Sequence, residues 1–152
     1  SDAMSAFRRI LHPTDFSAAS TPAFRRSVAL ARACRAPLVL VHVMTPPSPF
    51  VGEGTPPASY AELLMLARRS AKRRLAGVLA RARQQGVRAQ VIFAEGLPAD
   101  EILRAARRSH ADLIVMGTHG RTGVSRLFMG SVAERVVRES RCPVLTVRAH
   151  GR

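Results

Sequence analysis

The order of apolar and helical segments predicts an α/β fold, a three-layer α/β/α sandwich around one five-stranded parallel sheet. Three observations carry that expectation. Short apolar runs alternate with stretches of helical periodicity along the chain. Two of those runs, residues 37–43 and 112–116, are apolar at consecutive positions apart from His42 and the opening Asp112, as strands covered on both faces are. Successive strands joined by a helix pair in parallel through right-handed crossovers. With 152 residues and 47% hydrophobic content, the chain can build a full core.

Residues 7–12 read as the first strand, stopped by Pro13. Pro13, Thr14, Asp15, Phe16 and Ser17 form the loop into a helix that Ser17 or Ser20 can cap, with Pro22 in its first turn and Phe24, Val28, Ala31 and Ala33 facing inward. Residues 37–43 are the second strand. Residues 44–57 hold five of the ten prolines and read as an irregular loop. Ser59 through Glu62 fits a capping box for a long helix with Tyr60, Leu63, Leu64, Ala67, Ala71, Leu75, Val78 and Leu79 inward, ending at Gly86. Residues 87–94 are the third strand, 99–108 a helix behind Pro98, 112–116 the fourth strand, 132–138 a short helix and 143–147 the last strand.

Composition excludes several classes. The longest apolar run is far short of the roughly 18 residues that cross a bilayer, and no basic-then-apolar leader opens the chain. A soluble, cytoplasmic protein is the expectation. Ser1, Asp2 and Ala3 before Met4 read as the scar of a removed expression tag, leaving one domain over 4–152. Cys34 and Cys142 fit neither a disulfide framework nor a metal site, and the five histidines show no ligand spacing. The formal charge of +14 favours polyanions without choosing among them. An aromatic content of 5% with no tryptophan argues against single-strand stacking platforms.

The chemistry concentrates in residues 117–131, a glycine-rich connection between a buried strand and a helix. Glycines admit a ligand close to the backbone, and a helix N-terminus offers unpaired N–H donors to phosphate. Ser131 before Val132 reads equally as an N-cap or as a phosphate ligand, and Gly130 as a tight turn or a point of close approach. His119 and Arg121 are loop cations within reach of such an anion. In an open parallel sheet, ligands sit at the carboxyl ends of strands where the order reverses. Asp15, the only acid between the scar and Glu53, stands at one such end, where a turn-forming role is the alternative. The Gly-x-x-x-x-Gly-Lys-Ser/Thr and Gly-x-Gly-x-x-Gly motifs are absent. Ser17, His119 and Asp15 could be written as a triad, but no Gly-x-Ser-x-Gly elbow supports it.

Three elements thus stand in order: residues 10–17 (Ile10, Leu11, His12, Pro13, Thr14, Asp15, Phe16, Ser17), residues 39–43, and Gly117-x2-Gly120-x9-Gly130-Ser131. In that order and spacing the chain resembles the universal stress proteins, UspA-like, of the single-domain ATP-binding type, over residues 7–148. The resemblance implies a Rossmann-like sheet of order 3-2-1-4-5, as in adenine nucleotide alpha hydrolase-like folds, with the switch point between the first and fourth strands. It implies that Pro13, Thr14 and Asp15 line the adenosine side and that the backbone at Val43 receives the adenine. Met116 and Gly117 would flank the ribose, and Gly120, Gly130, Ser131 and Val132 would hold the phosphates of ATP, alone or with Mg²⁺. Arg121, His119 and Arg126 would be auxiliary phosphate contacts. Similar proteins pair through the last strand, which implies an antiparallel homodimer through Val144–Val147.

The function so indicated is a nucleotide-dependent regulatory or stress-response protein. No general base, activated nucleophile or metal-ligand cluster stands out, so at most slow ATP hydrolysis is expected and no catalytic residue is assigned. Two alternatives have sequence support. One is a basic nucleic-acid-binding module, suggested by the charge and by Gly120-Arg121-Thr122-Gly123, and less favoured because that loop follows a buried strand. The other is an adenine-nucleotide hydrolase.

Overall fold

A computed structural model describes residues 6–46, 48, 57–119 and 129–149. The elements in chain order are β1 (Ile10–Pro13), a 3₁₀ turn (Ala18–Ser20), α1 (Thr21–Cys34), β2 (Leu38–Met44), α2 (Pro57–Gln84), β3 (Ala89–Glu95), α3 (Pro98–Ser109), β4 (Leu113–Gly117), α4 (Ser131–Glu139) and β5 (Val144–Val147). The five strands form one parallel sheet in the order β3-β2-β1-β4-β5. The expected α/β sandwich and its strand order are therefore present.

Alternation along the central strands splits the core in two. Ile10, Leu38, Leu40, Leu113 and Val115 face α1 and α2, meeting Phe24, Val28, Ala31, Leu75, Val78 and Ala82. Leu11, Val39, Val41, Ile114 and Met116 face α3 and α4, meeting Ile102, Leu103, Ala106, Ala133 and Val136. Each of the three central strands thus buries side chains on both faces, which is why their sequences are mostly apolar, with His12 and His42 as the buried polar exceptions. Among the described residues no helix is long and apolar enough to cross a membrane.

Local details differ from the sequence expectations. β1 begins at Ile10 rather than residue 7 and includes Pro13, whose missing N–H costs nothing at a strand's last residue. Neither Ser17 nor Ser20 caps with its side chain: the Ser20 hydroxyl donates back to the Ser17 carbonyl at 2.8 Å, inside the 3₁₀ turn that precedes α1. α2 starts at Pro57, so Ser59 to Glu62 lies within the helix and not at its cap. Leu63 is exposed, not inward. The Arg68 guanidinium grips Glu95, the last residue of β3, so the turns of α2 before Arg68 run past the end of that strand. The same fork holds the Glu95 carboxyl below its ordinary pKa. Gly86 ends the α2 region with φ +82, the left-handed geometry expected of a glycine stop.

Candidate functional site

Connections from β1 run toward β2, and those from β4 toward β5, so the chain diverges between β1 and β4 at the carboxyl edge of the sheet. The β1 side of this opening is a hydrogen-bonded loop. The Thr14 N–H donates to the Val41 carbonyl at 2.8 Å, continuing the β1–β2 ladder one residue past the strand. Asp15 then turns the chain: its Oδ1 accepts from the Ser17 N–H at 2.9 Å and from the Ser17 hydroxyl at 2.5 Å. Phe16 between them has φ +66, a left-handed geometry that a bulky residue adopts only when its surroundings hold it there.

Those surroundings come from β2 and α2. His42 donates from Nδ1 to the Thr14 carbonyl at 2.8 Å, and its ring stacks on Phe16 with centroids 4.1 Å apart. The Arg74 guanidinium covers the Phe16 ring at 4.8 Å. His42 in turn lies 6.3 Å from Phe93 of β3, over which the Lys72 ammonium sits at 5.2 Å. The loop that presents Thr14 and Asp15 is thereby clamped by a stack of rings and cations, each contact adding a modest attraction.

The second histidine, His12, is fully buried at the end of β1. Its Nδ1 donates to the Val115 carbonyl at 2.8 Å, tying β1 to β4 where their ladder stops, and its Nε2 has no partner among the described residues. Burial lowers its pKa from 6.5 to about 4, against the opposing pull of the Val115 carbonyl and the Asp15 carboxylate. His12 is therefore a neutral strut.

The β4 side is built on glycine. A Cβ on Gly117 would lie 3.4 Å from the Ala19 carbonyl oxygen, so the 3₁₀ turn after β1 lies against the end of β4. Thr118 continues the β4–β5 ladder by donating to Val147, and its carbonyl accepts from the Gly130 N–H at 2.7 Å. A Cβ on Gly130 would stand 3.1 Å from that same carbonyl oxygen, closer than nearly all side chains tolerate. Gly130, not Ser131, is the N-cap of α4, in extended geometry, and the first bond of the helix runs from Glu134 N–H to Gly130 O. The N–H groups of Ser131, Val132 and Ala133 thus have no acceptor inside the helix, and they open toward the start of α4 with the positive end of its dipole. Arg135 bridges Asp100 of α3 and, at 2.6 Å, Glu139, which fixes the direction of α4 against α3.

A helix start drawn against one strand end, facing an acid-bearing loop at the next strand, is an anion-and-polar-ligand geometry. The sequence match covering residues 6–148 is to the universal stress protein family. The chain belongs to that family. Universal stress protein MJ0531 of Methanocaldococcus jannaschii is 38% identical over 143 residues, covering 93% of this chain and 82% of that relative. Among solved structures, hypothetical protein MJ0577 superposes with a TM-score of 0.80 at 26% identity, covering 98% of this chain and 99% of that one. A universal stress protein in complex with cAMP shares the fold, with a TM-score of 0.72 at 24% identity, covering 96% of this chain and all of that one.

In this universal stress protein the sequence-named residues fall as follows. Pro13, Thr14 and Asp15 end β1 and open its loop; Gly117 ends β4; Gly130, Ser131 and Val132 start α4. All of these lie along the carboxyl edge, on the elements that flank the β1–β4 opening. Val43 stands two residues beyond Val41, the last β2 residue paired with β1, and pairs with Ala94 on its other side. The Met116 side chain is packed in the core beneath α3 and α4, so it is not open to a ligand. Gly120, Arg121 and Arg126 lie outside the described residues. The paper triad does not form as written: the Ser17 hydroxyl bonds to Asp15 directly, and the His119 ring pairs with the Thr118 hydroxyl at 3.0 Å. Phe16 and Thr118 stand in the sequence motifs without a role of their own, and His42, a packed and hydrogen-bonded histidine as its strand position implies, is tied to the loop only by the structure; a positive φ and a ring stack leave no periodic signal.

Proposed function

We propose that this universal stress protein binds ATP between β1 and β4, with the adenosine on the Pro13, Thr14, Asp15 and Val43 side and the phosphates at Gly130, Ser131 and Val132. The observation that carries the reading is the docking of Gly130 against Thr118, which brings three N–H groups without helical acceptors to the edge beside β4. Asp15 supplies a carboxylate oriented by Ser17 on the opposite side. Binding of cAMP by a relative of the same fold supports an adenine nucleotide as the ligand class. Gly117, the Met116 backbone, and Gly120 and Arg121 complete the proposed set.

Among the described residues no three His, Cys, Asp or Glu side chains group as a metal site, so Mg²⁺ would arrive on the nucleotide's phosphates with Asp15 as the neighbouring protein carboxylate. Ser17 spends its proton on Asp15 and His12 is a buried neutral strut, which supports a binding protein with at most slow hydrolysis. We place the protein in the cytoplasm, as one domain over 4–152, acting as a nucleotide-dependent regulator. Among the described residues β5 is an edge strand, paired only with β4, with Leu145 exposed; an antiparallel homodimer through Val144–Val147 would cover it.

Calorimetry with ATP tests the site. Wild type binds; Gly130→Asp pushes a side chain at the Thr118 carbonyl and a negative charge at the phosphate position, and loses at least about tenfold in affinity. Ser131→Ala, which leaves the backbone unchanged, weakens binding by a smaller factor. Absence of ATP binding by the wild type, or equal affinity in Gly130→Asp, overturns the proposal.

A further inference from the structure

The two helical layers of the sandwich differ in charge. α1 and α2, on one face of the sheet, carry ten cations and a single acid, Glu62. α3 and α4, on the other, carry five arginines and four acids. An arginine-rich composition loads both layers; the placement of the acids separates them. On the second layer, Arg104, Arg135 and Arg138 are paired with Glu101, with Asp100 and Glu139, and with Glu134. On the first, among the described residues, the one ion pair is Arg68 with Glu95.

The early turns of α2 add exposed apolar side chains to this basic layer. Met65 is 57% and Leu66 61% exposed, and Leu63, one turn before Leu66, is 46% exposed. Helical spacing puts Met65 and Leu66 on the same side as exposed Arg69 and Arg73, opposite buried Ala71, Leu75, Val78 and Ala82. The side continues with the small residues Ala76 and Ala80, then Arg83. The Arg81 guanidinium lies 5.7 Å from the Phe24 ring of α1, so α1 lies alongside and its exposed Arg25, Arg26 and Arg32 extend the same layer.

We propose that the α1–α2 layer docks on an anionic phospholipid membrane, with Met65 and Leu66 entering the lipid interface and Arg69 and Arg73 meeting headgroup phosphates. A helix that joins exposed aliphatic residues to a dense row of cations has the composition of an interfacial helix. A second copy of the chain is disfavoured as occupant, because it would set one unbalanced basic layer against another. Nucleic acid would satisfy the arginines and leave the apolar cluster without a partner. None of the exposed large apolar side chains among the described residues is aromatic, so the layer offers no stacking platform for bases.

Co-sedimentation of the full chain with vesicles tests this, using phosphatidylcholine alone and phosphatidylcholine with about 30% phosphatidylglycerol. The protein sediments with the anionic vesicles only, and high salt releases it. Met65→Ser/Leu66→Ser and Arg69→Gln/Arg73→Gln each lower the partition coefficient by about tenfold or more. Arg107→Gln/Arg108→Gln, which removes the same charge from the opposite layer, stays within about twofold of wild type. Equal sedimentation with neutral vesicles, no sedimentation, or the same loss in the Arg107/Arg108 variant overturns the proposal. So does duplex DNA that binds more tightly than the anionic vesicles and is indifferent to Met65→Ser/Leu66→Ser, an outcome that would assign the layer to nucleic acid.

Discussion

Between pH 6.5 and about 4, acidification should destabilise this fold chiefly through one side chain, His12. Its imidazole is fully buried, donates from Nδ1 to the Val115 carbonyl, and titrates near 4 rather than 6.5 because burial penalises the charged form. Protonation would place a second N–H at Nε2, where no acceptor stands among the described residues. The unfolded chain takes up the proton first as pH falls. The stabilisation is therefore complete above 6.5 and is lost progressively between 6.5 and about 4. Linkage between those two pKa values gives a loss of about 0.8 kcal/mol at pH 6 and about 2 kcal/mol at pH 5, approaching about 3 kcal/mol near pH 4. Urea unfolding of wild type and His12→Leu across this range isolates the effect, since other titrating groups largely cancel in the difference. At neutral pH the variant is less stable by roughly 1–3 kcal/mol, because the Val115 carbonyl loses its donor. That gap should narrow by the stated amounts on acidification. Parallel stability curves, or a gap that widens, would refute the argument that His12 is held neutral.

Two further predictions concern backbone and assembly. Gly86 and Gly77 both have open space where a Cβ would go, so their alanine variants report the backbone alone. Gly86→Ala, at φ +82, should cost about 1 kcal/mol, whereas Gly77→Ala, inside α2, should add roughly 0.5–1 kcal/mol, both read by urea unfolding. If the two substitutions shift the midpoint in the same direction, the left-handed assignment at Gly86 is wrong. Leu145→Asp places a charge on the exposed face of the edge strand and should turn a dimer into a monomer in light scattering, with no change in ATP affinity. A wild-type protein that is already monomeric at micromolar concentration, or a variant that stays dimeric, removes the β5 interface from the proposal.

The fold was legible because burial acts on every residue of a central strand. Val39, Leu40 and Val41 are apolar in sequence since each packs against one helical layer or the other, and no polar residue could occupy those places cheaply. The elements of the candidate site were legible for a related reason. Glycine at 117 and 130 and an isolated acid at 15 are residue types that a core or a plain helix does not call for, so they stand out. Their side-chain arrangement was not. Whether Ser131 caps α4 depends on where the backbone turns, and Gly130 takes that place because its N–H reaches Thr118. The inward face of α2 was misjudged at Leu63 because periodicity gives a helix a side but not a length of sheet to lie on; β3 ends at Glu95, and the helix runs on.

What the sequence by itself determined is therefore the pattern of strands and helices, the parallel sheet, the family and the segments that line its carboxyl edge. Each of these follows from local residue type and spacing along the chain. What only the tertiary structure decided is how distant segments hold one another: His42 and Arg74 fastening Phe16, His12 kept neutral between two strands, Gly130 against Thr118, and the cation-rich α1 and α2 brought onto one face. Such contacts join residues many positions apart, and their energies come from burial, distance and orientation, which no one-dimensional pattern encodes.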